Sequence, residues 1–415
     1  MAKLFKAGFK LLFQVFILLL PVQLAYHFWP EWAFVFGIRV DYLSPALYLT
    51  DILFLAVFLL FLITQRAGKK TLLWGLLGLG LVAALNIAFS SIPEPSFYKW
   101  IKLFEYFCLA TVVAGTKDLK VGDWIVKPLT ISMLGVSLIG ILQVIKGGSM
   151  GGLLYFLGER SLDVSTPGIA LTALGGREIL RAYSTFSHPN SLAGFLGAGI
   201  ILSWPLLLKK KDNFLPFAFL AIFTLGFLLT FSLAPAISLL FVAGLYLLFR
   251  NTPKLYSKLA KALLFIFVLL SIALPLFAAR YRDMAKPFGE SYTKRLELAT
   301  VAGRMFSERP LLGQGLNNFV AALPEKSLDQ PVAWWLQPVH NVFLLTLSET
   351  GLVGFLLIFL LFYLAIGKTG LSEKRYLAAA LLFVVITGFF DHYWLTLQQN
   401  QLLLAIIFGL SFKNG

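Results

Sequence analysis

Stretches of about twenty consecutive apolar residues recur along this chain, and they limit its fold more than any other feature. A helix needs roughly 20 residues to cross about 30 Å of hydrocarbon, where every backbone N–H and C=O must find its partner within the protein. Composition agrees: 59% of the residues are hydrophobic, 13% are charged, and mean hydropathy is +0.83, well outside the soluble range. The chain therefore reads as an all-α polytopic membrane protein. Its one cysteine, Cys108, excludes an internal disulfide and argues against a thiolate metal site. The formal charge of +15 first reflects topology in such a chain, so it implies no nucleic-acid partner.

About twelve spans can be placed, at residues 9–28, 44–64, 72–91, 97–115, 128–145, 189–208, 214–230, 234–249, 262–279, 341–366, 377–390 and 397–412. No signal-peptidase site follows the first run, which reads as a retained helix. Two hydrophilic segments interrupt the series, at 147–188 and 280–339. They divide the chain into nine helices over 1–279 with an outer loop at 147–188, a loop domain at 280–339, and three closing helices over 340–415.

The short loops carry an orientation signal. Lys3, Lys6 and Lys10 precede the first run; Arg66, Lys69 and Lys70 follow the second; Lys117, Lys120 and Lys127 follow the fourth. Later loops hold Lys209 to Lys211, then Arg250, Lys254, Lys258 and Lys261, then Lys368, Lys374 and Arg375, with Lys413 at the end. Placing both termini in the cytoplasm puts all of these on the inner side, as the positive-inside rule requires. His27, His188, His340 and His392, together with Arg181, Arg295 and Arg304, then fall at the outer face. That clustering points to a cationic site open to the exterior.

Three motifs carry candidate chemistry. The first, Arg181-Ala-Tyr-Ser-Thr-Phe-Ser-His188-Pro189-Asn190, ends the first outer segment. Pro189 and Asn190 suit a helix start. Arg181 reads either as a snorkelling interfacial residue or as a fork for phosphate. The second spans 291–308, which has helical spacing. There Arg295 lines up with Ala299, Ala302 and Phe306 on the small, apolar face. Arg304 lies with Lys294, Glu297 and Glu308 on a charged face, so Arg295 is the better functional candidate. The following Leu311-Leu312-Gly313-Gln314-Gly315 reads as a tight turn serving packing.

The third motif opens the tenth span: His340-Asn341, with Glu349 two turns inside. A histidine at such a boundary reads as a helix-end structural residue or as a group titrating near neutral pH. An intramembrane carboxylate such as Glu349 needs a partner or a watery cavity, and Lys102 near Glu105 is one available cation. Asp51 raises the same question. No His, Asp or Glu spacing forms a compact ligand set, so neither a metal nor a cofactor is expected.

In this order the motifs resemble the O-antigen ligase and Wzy-type polymerase superfamily of bacterial envelope glycan enzymes. The matching pieces are Arg181 with Ser184-Thr185-Phe186 and Pro189-Asn190, then Arg295 ahead of Arg309-Pro310-Leu311-Leu312-Gly313-Gln314-Gly315, and finally His340-Asn341 with Leu344, Glu349, Gly351 and Gly354. The resemblance covers roughly residues 181–367. It implies a GT-C-like helical fold with a large, helical extracytoplasmic loop between spans 9 and 10, in the bacterial inner membrane. It further implies inverting, metal-independent transfer of a glycan from an undecaprenyl diphosphate carrier to a hydroxyl of lipid A-core or another envelope acceptor. Carried over by position, Arg181 and Arg295 would hold the diphosphate and His340 would assist the acceptor hydroxyl. His188, Asn190, Arg304, Asn341, Glu349 and His392 would support them.

One departure stands out. The family often has Ser-Arg where this chain has Ser232-Leu233, which removes one expected phosphate contact. A polymerase of lipid-linked repeat units, a ligase to protein, and a lipid-linked glycan transporter are the alternatives. A transporter would favour internal repeats around a midplane site, and no clear repeat is visible here. Asp391 has no assigned role at this level.

Overall fold

The computed structural model describes residues 2–65, 69–207, 214–249, 251–285, 290–327 and 330–413. The basic-loop residues Arg66, Lys209, Lys210, Lys211 and Arg250 lie outside the described residues. Sixteen α-helices in the described residues follow the expected order: α1 (Ala2–Leu18), α2 (Leu49–Thr64), α3 (Lys69–Ala88), α4 (Pro93–Gly115), α5 (Lys127–Lys146), α6 (Pro189–Leu207), α7 (Phe214–Leu228) and α8 (Leu233–Phe249). They continue with α9 (Pro253–Ala285), α10 (Glu290–Glu308), α11 (Phe319–Lys326), α12 (Gln330–Ala333), α13 (Val342–Gly370), α14 (Arg375–Phe390), α15 (Tyr393–Thr396) and α16 (Gln398–Phe412).

Local sequence explains most of these boundaries. Proline stands in the first turn of α4, α5, α6 and α9, where its missing N–H costs nothing. Gly147 ends α5 with φ of 73°, a left-handed cap that favours glycine. Asn341 caps α13, its side-chain oxygen accepting from the Phe343 and Leu344 amides at 2.9 and 3.0 Å.

Among the described residues, three helices are long and apolar enough to cross a membrane: Gly122–Lys146, Pro253–Leu276 and Val342–Gly370. Five shorter apolar helices accompany them, at Leu49–Thr64, Leu72–Ala88, Phe217–Leu228, Leu233–Phe249 and Arg375–Phe390. This is consistent with a helical membrane protein, although the expected count of about twelve full spans is not confirmed among the described residues. The first expected span shows one reason. Its helix runs from Ala2 to Leu18, and residues 25–27 form a strand instead. The described residues are also not purely α: three two-stranded antiparallel sheets pair Ala25–His27 with Ala46–Tyr48, Phe34–Val35 with Ile38–Arg39, and Leu171–Leu174 with Arg177–Leu180.

At the centre stands α14, whose residues 377–388 are all buried. It packs on α6, α8, α9 and α13, and a helix that is apolar all round belongs inside such a bundle. The peripheral helices turn leucines outward, such as Leu73, Leu77 and Leu81 of α3 and Leu356 and Leu360 of α13. Those rows face hydrocarbon at no cost.

A second apolar core sits at one end of the bundle. Leu298, Ala302 and Met305 of α10, Phe319 and Leu323 of α11, and Val339 and Leu344 near the start of α13 form one side. Ala33, Val35, Val40 and Leu43 from the 30–43 loop complete it. Gly303 of α10 lies against Pro275 of α9 so closely that a Cβ there would stand 2.5 Å from the proline ring. Helices α10 and α11 therefore dock on α9, on α13 and on a distant loop, and the site lies beneath them.

Candidate active site

Four separate segments converge at this end of the bundle. His340 immediately precedes the cap of α13, Asp391 and His392 form the turn between α14 and α15, Arg181 and His188 flank the start of α6, and Arg295 comes down on α10. The His340 and His392 rings lie 5.1 Å apart. Burial pushes the His340 imidazole well below its usual range; Asp391 pulls it back up, while His392, Arg295 and His188 push it further down. His392 is lowered for the same first reason, again opposed by Asp391 and reinforced by Arg295. Both imidazoles are therefore neutral near pH 7 and carry a lone pair.

Asp391 is the hub that ties the parts together. Its Oδ2 accepts from Asn190 Nδ2 at 2.8 Å, and its Oδ1 accepts from the His392 backbone N–H at 2.7 Å. Burial alone would raise this carboxyl; the three neighbouring imidazoles and the Asn190 amide outweigh it and hold the pKa below the usual carboxylate range. Asn190 passes the connection on, its Oδ1 accepting from the Arg181 guanidinium at 2.8 Å. Arg181 also donates to Ser232 Oγ at 2.9 Å and to the Thr230 carbonyl at 2.6 Å. The guanidinium is thus locked in place between α6 and the α7–α8 turn.

Two buried nitrogens of this cluster are left open. Arg295 Nε and His340 Nδ1 have no hydrogen-bond partner among the described residues. Buried polar atoms are rarely left unpaired unless a ligand or water completes them. Arg181 and Arg295 also lie close enough to repel one another, a repulsion that an anion between them would relieve.

The remaining candidates divide by what they bind. His188 belongs to the cluster: its Nδ1 accepts from the Asn190 N–H at 3.2 Å, and its ring meets Tyr183 edge-on. His392 Nδ1 pairs with Thr396 Oγ1 at 2.8 Å, and its ring meets Tyr42 edge-on. Asn341 is committed to structure, because its amide also donates to Ser271 Oγ and to the Phe389 carbonyl at 3.0 and 3.1 Å. Arg304 turns away to the Lys326 carbonyl at the end of α11, where a cation suits the helix C-terminus. Glu349 accepts from the Phe319 N–H at 3.1 Å and so caps α11. Lys102, which sequence offered as its partner, instead pairs with Asp51 and with Glu105 at 3.5 Å.

Sequence reasoning left Asp391 without a role, did not single out Tyr42 or Thr396, and noted Ser232 only as the neighbour of Leu233. Only the doublet Asp391-His392 between two apolar runs could have signalled the first. Leu233, at the departure from the family pattern, is 73% exposed at the start of α8, while its neighbour Ser232 takes the Arg181 fork.

His340, Asp391 and His392 also bring possible ligand atoms within 4.8 Å of one another. The spacing rule that argued against a metal could not see a trio assembled across α13 and α14. Arg295 acts on both imidazoles, however, and this positive charge favours an anion over a cation in the same space.

Residues 216–359 match a family model described as O-antigen ligase, a match that supports membership of that superfamily. The matched stretch holds Ser232, Arg295 and His340, whereas Arg181, Asp391 and His392 lie outside it. No curated protein and no solved structure matches the chain. The match supports an enzyme performing glycosyl transfer of the ligase or polymerase type.

Proposed function

We propose, from an O-antigen ligase match that encloses Arg295 and His340, that this protein transfers a glycan from undecaprenyl diphosphate to a hydroxyl of an envelope acceptor such as lipid A-core. The observation that carries the reading is the pair of open nitrogens, Arg295 Nε as donor and His340 Nδ1 as acceptor, buried in one cluster beside a second arginine. Arg181 and Arg295 hold the diphosphate of the donor. Their charge offsets what develops on the leaving group in a low-dielectric cleft, where such stabilisation is worth most.

The acceptor oxygen attacks the anomeric carbon from the face opposite the diphosphate. The bond from that carbon to the diphosphate oxygen breaks with its electron pair, so the configuration inverts and polyprenyl diphosphate leaves. The hydroxyl proton passes to a neutral imidazole nitrogen, and His340 Nδ1 is the open one. An arriving diphosphate adds negative charge beside His340, which raises its basicity when it is needed. Asp391 steadies the imidazolium that forms. No step requires a metal.

In this reading the site faces the exterior of the inner membrane with both termini in the cytoplasm, where a carrier presents its glycan. The test is reconstitution of purified enzyme with lipid-linked glycan and candidate acceptors. His340→Ala is expected to lose transfer by about 10²-fold or more. Wild-type transfer by that variant would remove His340 from the chemistry. Product carried on lipid A-core identifies a ligase; longer glycan on the same carrier would identify a polymerase instead.

A further inference from the structure

The last helix opens on four consecutive amides, Gln398-Gln399-Asn400-Gln401, at the head of an otherwise apolar run. All four are buried, Gln399 and Asn400 completely. Buried amides must find partners within the protein, and successive residues on a helix point about 100° apart. The four side chains therefore reach out of α16 in different directions.

Two of them serve α2, α4 and α15. Gln398 donates to Asp51 Oδ1 at 2.5 Å, and its oxygen accepts from the Tyr106 hydroxyl at 2.6 Å. Gln401 accepts from the same hydroxyl at 3.0 Å and donates to the Leu395 carbonyl. The other two face the segment that carries Arg181 and Asn190. Gln399 Nε2 donates to the Thr185 carbonyl at 3.4 Å, and its oxygen accepts from Gln23 Nε2 at 2.6 Å. Asn400 forms a reciprocal pair with Ser191. Ser191 Oγ donates to Asn400 Oδ1 at 2.5 Å, and Asn400 Nδ2 donates to the Ser191 carbonyl at 3.1 Å.

Ser191 directly follows Asn190, whose side chain joins Arg181 to Asp391. The two bonds fix both the height and the rotation of α6 on α16, because a slide of one residue, about 1.5 Å, breaks both. Gly194, one turn further along α6, leaves no room for a Cβ against the Tyr393 ring of α15. One face of α6 is thus seated on the two helices that follow Asp391 and His392.

We propose that Asn400 is a positioning residue for the transfer site: through Ser191 it holds Asn190 at the depth where one amide reaches both Arg181 and Asp391. The proposal rests on the glycosyl-transfer reading above and adds what keeps its two halves in register. Asn400 acts through Asn190 and not on the substrate. Without the pair, the start of α6 is free to shift, and the Arg181 guanidinium parts from the carboxylate that steadies the histidines.

A double-mutant cycle on the full-length protein, reconstituted in vesicles with lipid-linked glycan and acceptor, tests this. Asn400→Leu removes both bonds and should lower kcat/KM for the donor about ten-fold in the wild-type background. In an Asn190→Ala background the same change should cost less than about two-fold, because the residue it acts through is already gone. A purely structural Asn400 would lower the melting temperature in both backgrounds and leave the kinetic losses additive. Additive losses, or wild-type kcat/KM in Asn400→Leu, would overturn the proposal. Where Asn400→Leu does not fold, Ser191→Ala takes its place in the cycle. It removes the hydroxyl alone and should cost about three-fold, again only when Asn190 is present.

Hydrogen exchange supplies a readout that needs no substrate. Asn400→Leu should speed exchange at residues 185–192 and leave the buried residues 377–388 of α14 unchanged. Unchanged protection at 185–192 would overturn the proposal. If no donor supports transfer while exchange there rises, the transfer reading fails and Asn400 still holds the start of α6.

Discussion

At the scale of single residues, the site depends on which polar atoms are already committed. Arg181 commits its Nε to the Thr230 carbonyl and its Nη2 to Asn190 and Ser232, while Arg295 Nε is open among the described residues. Arg295→Ala should therefore lower kcat/KM by about 10²-fold, as removal of one transition-state donor does elsewhere, with no change in melting temperature. Transfer kinetics within two-fold of wild type would exclude Arg295 from diphosphate binding. Asp391 supports protonation of His340, so Asp391→Asn should move the acid limb of the kcat profile to lower pH and reduce the plateau. An unmoved limb would leave Asp391 a purely structural residue. Leu233 is exposed, and restoring the family arginine there with Leu233→Arg should change donor KM by no more than about two-fold, as surface substitutions usually do. A larger gain would show that this position reaches the phosphates after all.

At the scale of elements, the decisive feature is the break in α13. Gly351 has φ 61° and ψ −162°, a conformation essentially restricted to glycine. The returning chain after α10 fills the break. Gln314 and Gly315 N–H donate to the Ser348 and Glu349 carbonyls at 2.8 and 3.0 Å, and the Leu352 N–H donates to the Pro310 carbonyl at 2.8 Å. Asn86 of α3 seals the junction: its amide donates to the Leu312 and Glu349 carbonyls, and its oxygen accepts from Trp100 Nε1 and the Leu316 N–H. Broken backbone at membrane depth persists only when protein satisfies it in this way. The sequence reading of Gly313-Gln314-Gly315 as a packing turn thus has a physical counterpart. Gly351→Ala would add strain and place a Cβ 2.3 Å from the Leu311 backbone. It should cost roughly 2 kcal/mol or more, visible as a lower melting temperature in detergent, and an unchanged melt would mean that the break is not required.

At the scale of the whole molecule, protonation and folding are linked through the cluster. His340 and His392 have folded pKa values below their ordinary 6.5, so the folded state binds fewer protons than the unfolded one. Their contribution is intact above about pH 6.5 and is lost as pH falls. Melting temperature should accordingly decline below that value, and His340→Gln should flatten the decline; identical profiles would refute the linkage. Dialysis against a chelator should leave transfer unchanged, and a loss restored by a divalent cation would show instead that His340, Asp391 and His392 hold a metal. The membrane class, the mostly helical fold and the resemblance to O-antigen ligases were legible in the sequence. Hydrophobic run length, proline and glycine punctuation, and loop charge are local properties that any fold must respect. The tertiary structure decided the rest. It showed that Asp391 lies beside Asn190, that Glu349 caps α11 rather than pairing with Lys102, and that Ala33, Val35, Val40 and Leu43 share a core with α10. Each of these depends on how distant helices pack, and a one-dimensional pattern of apolar and polar residues carries no record of which buried donor meets which buried acceptor.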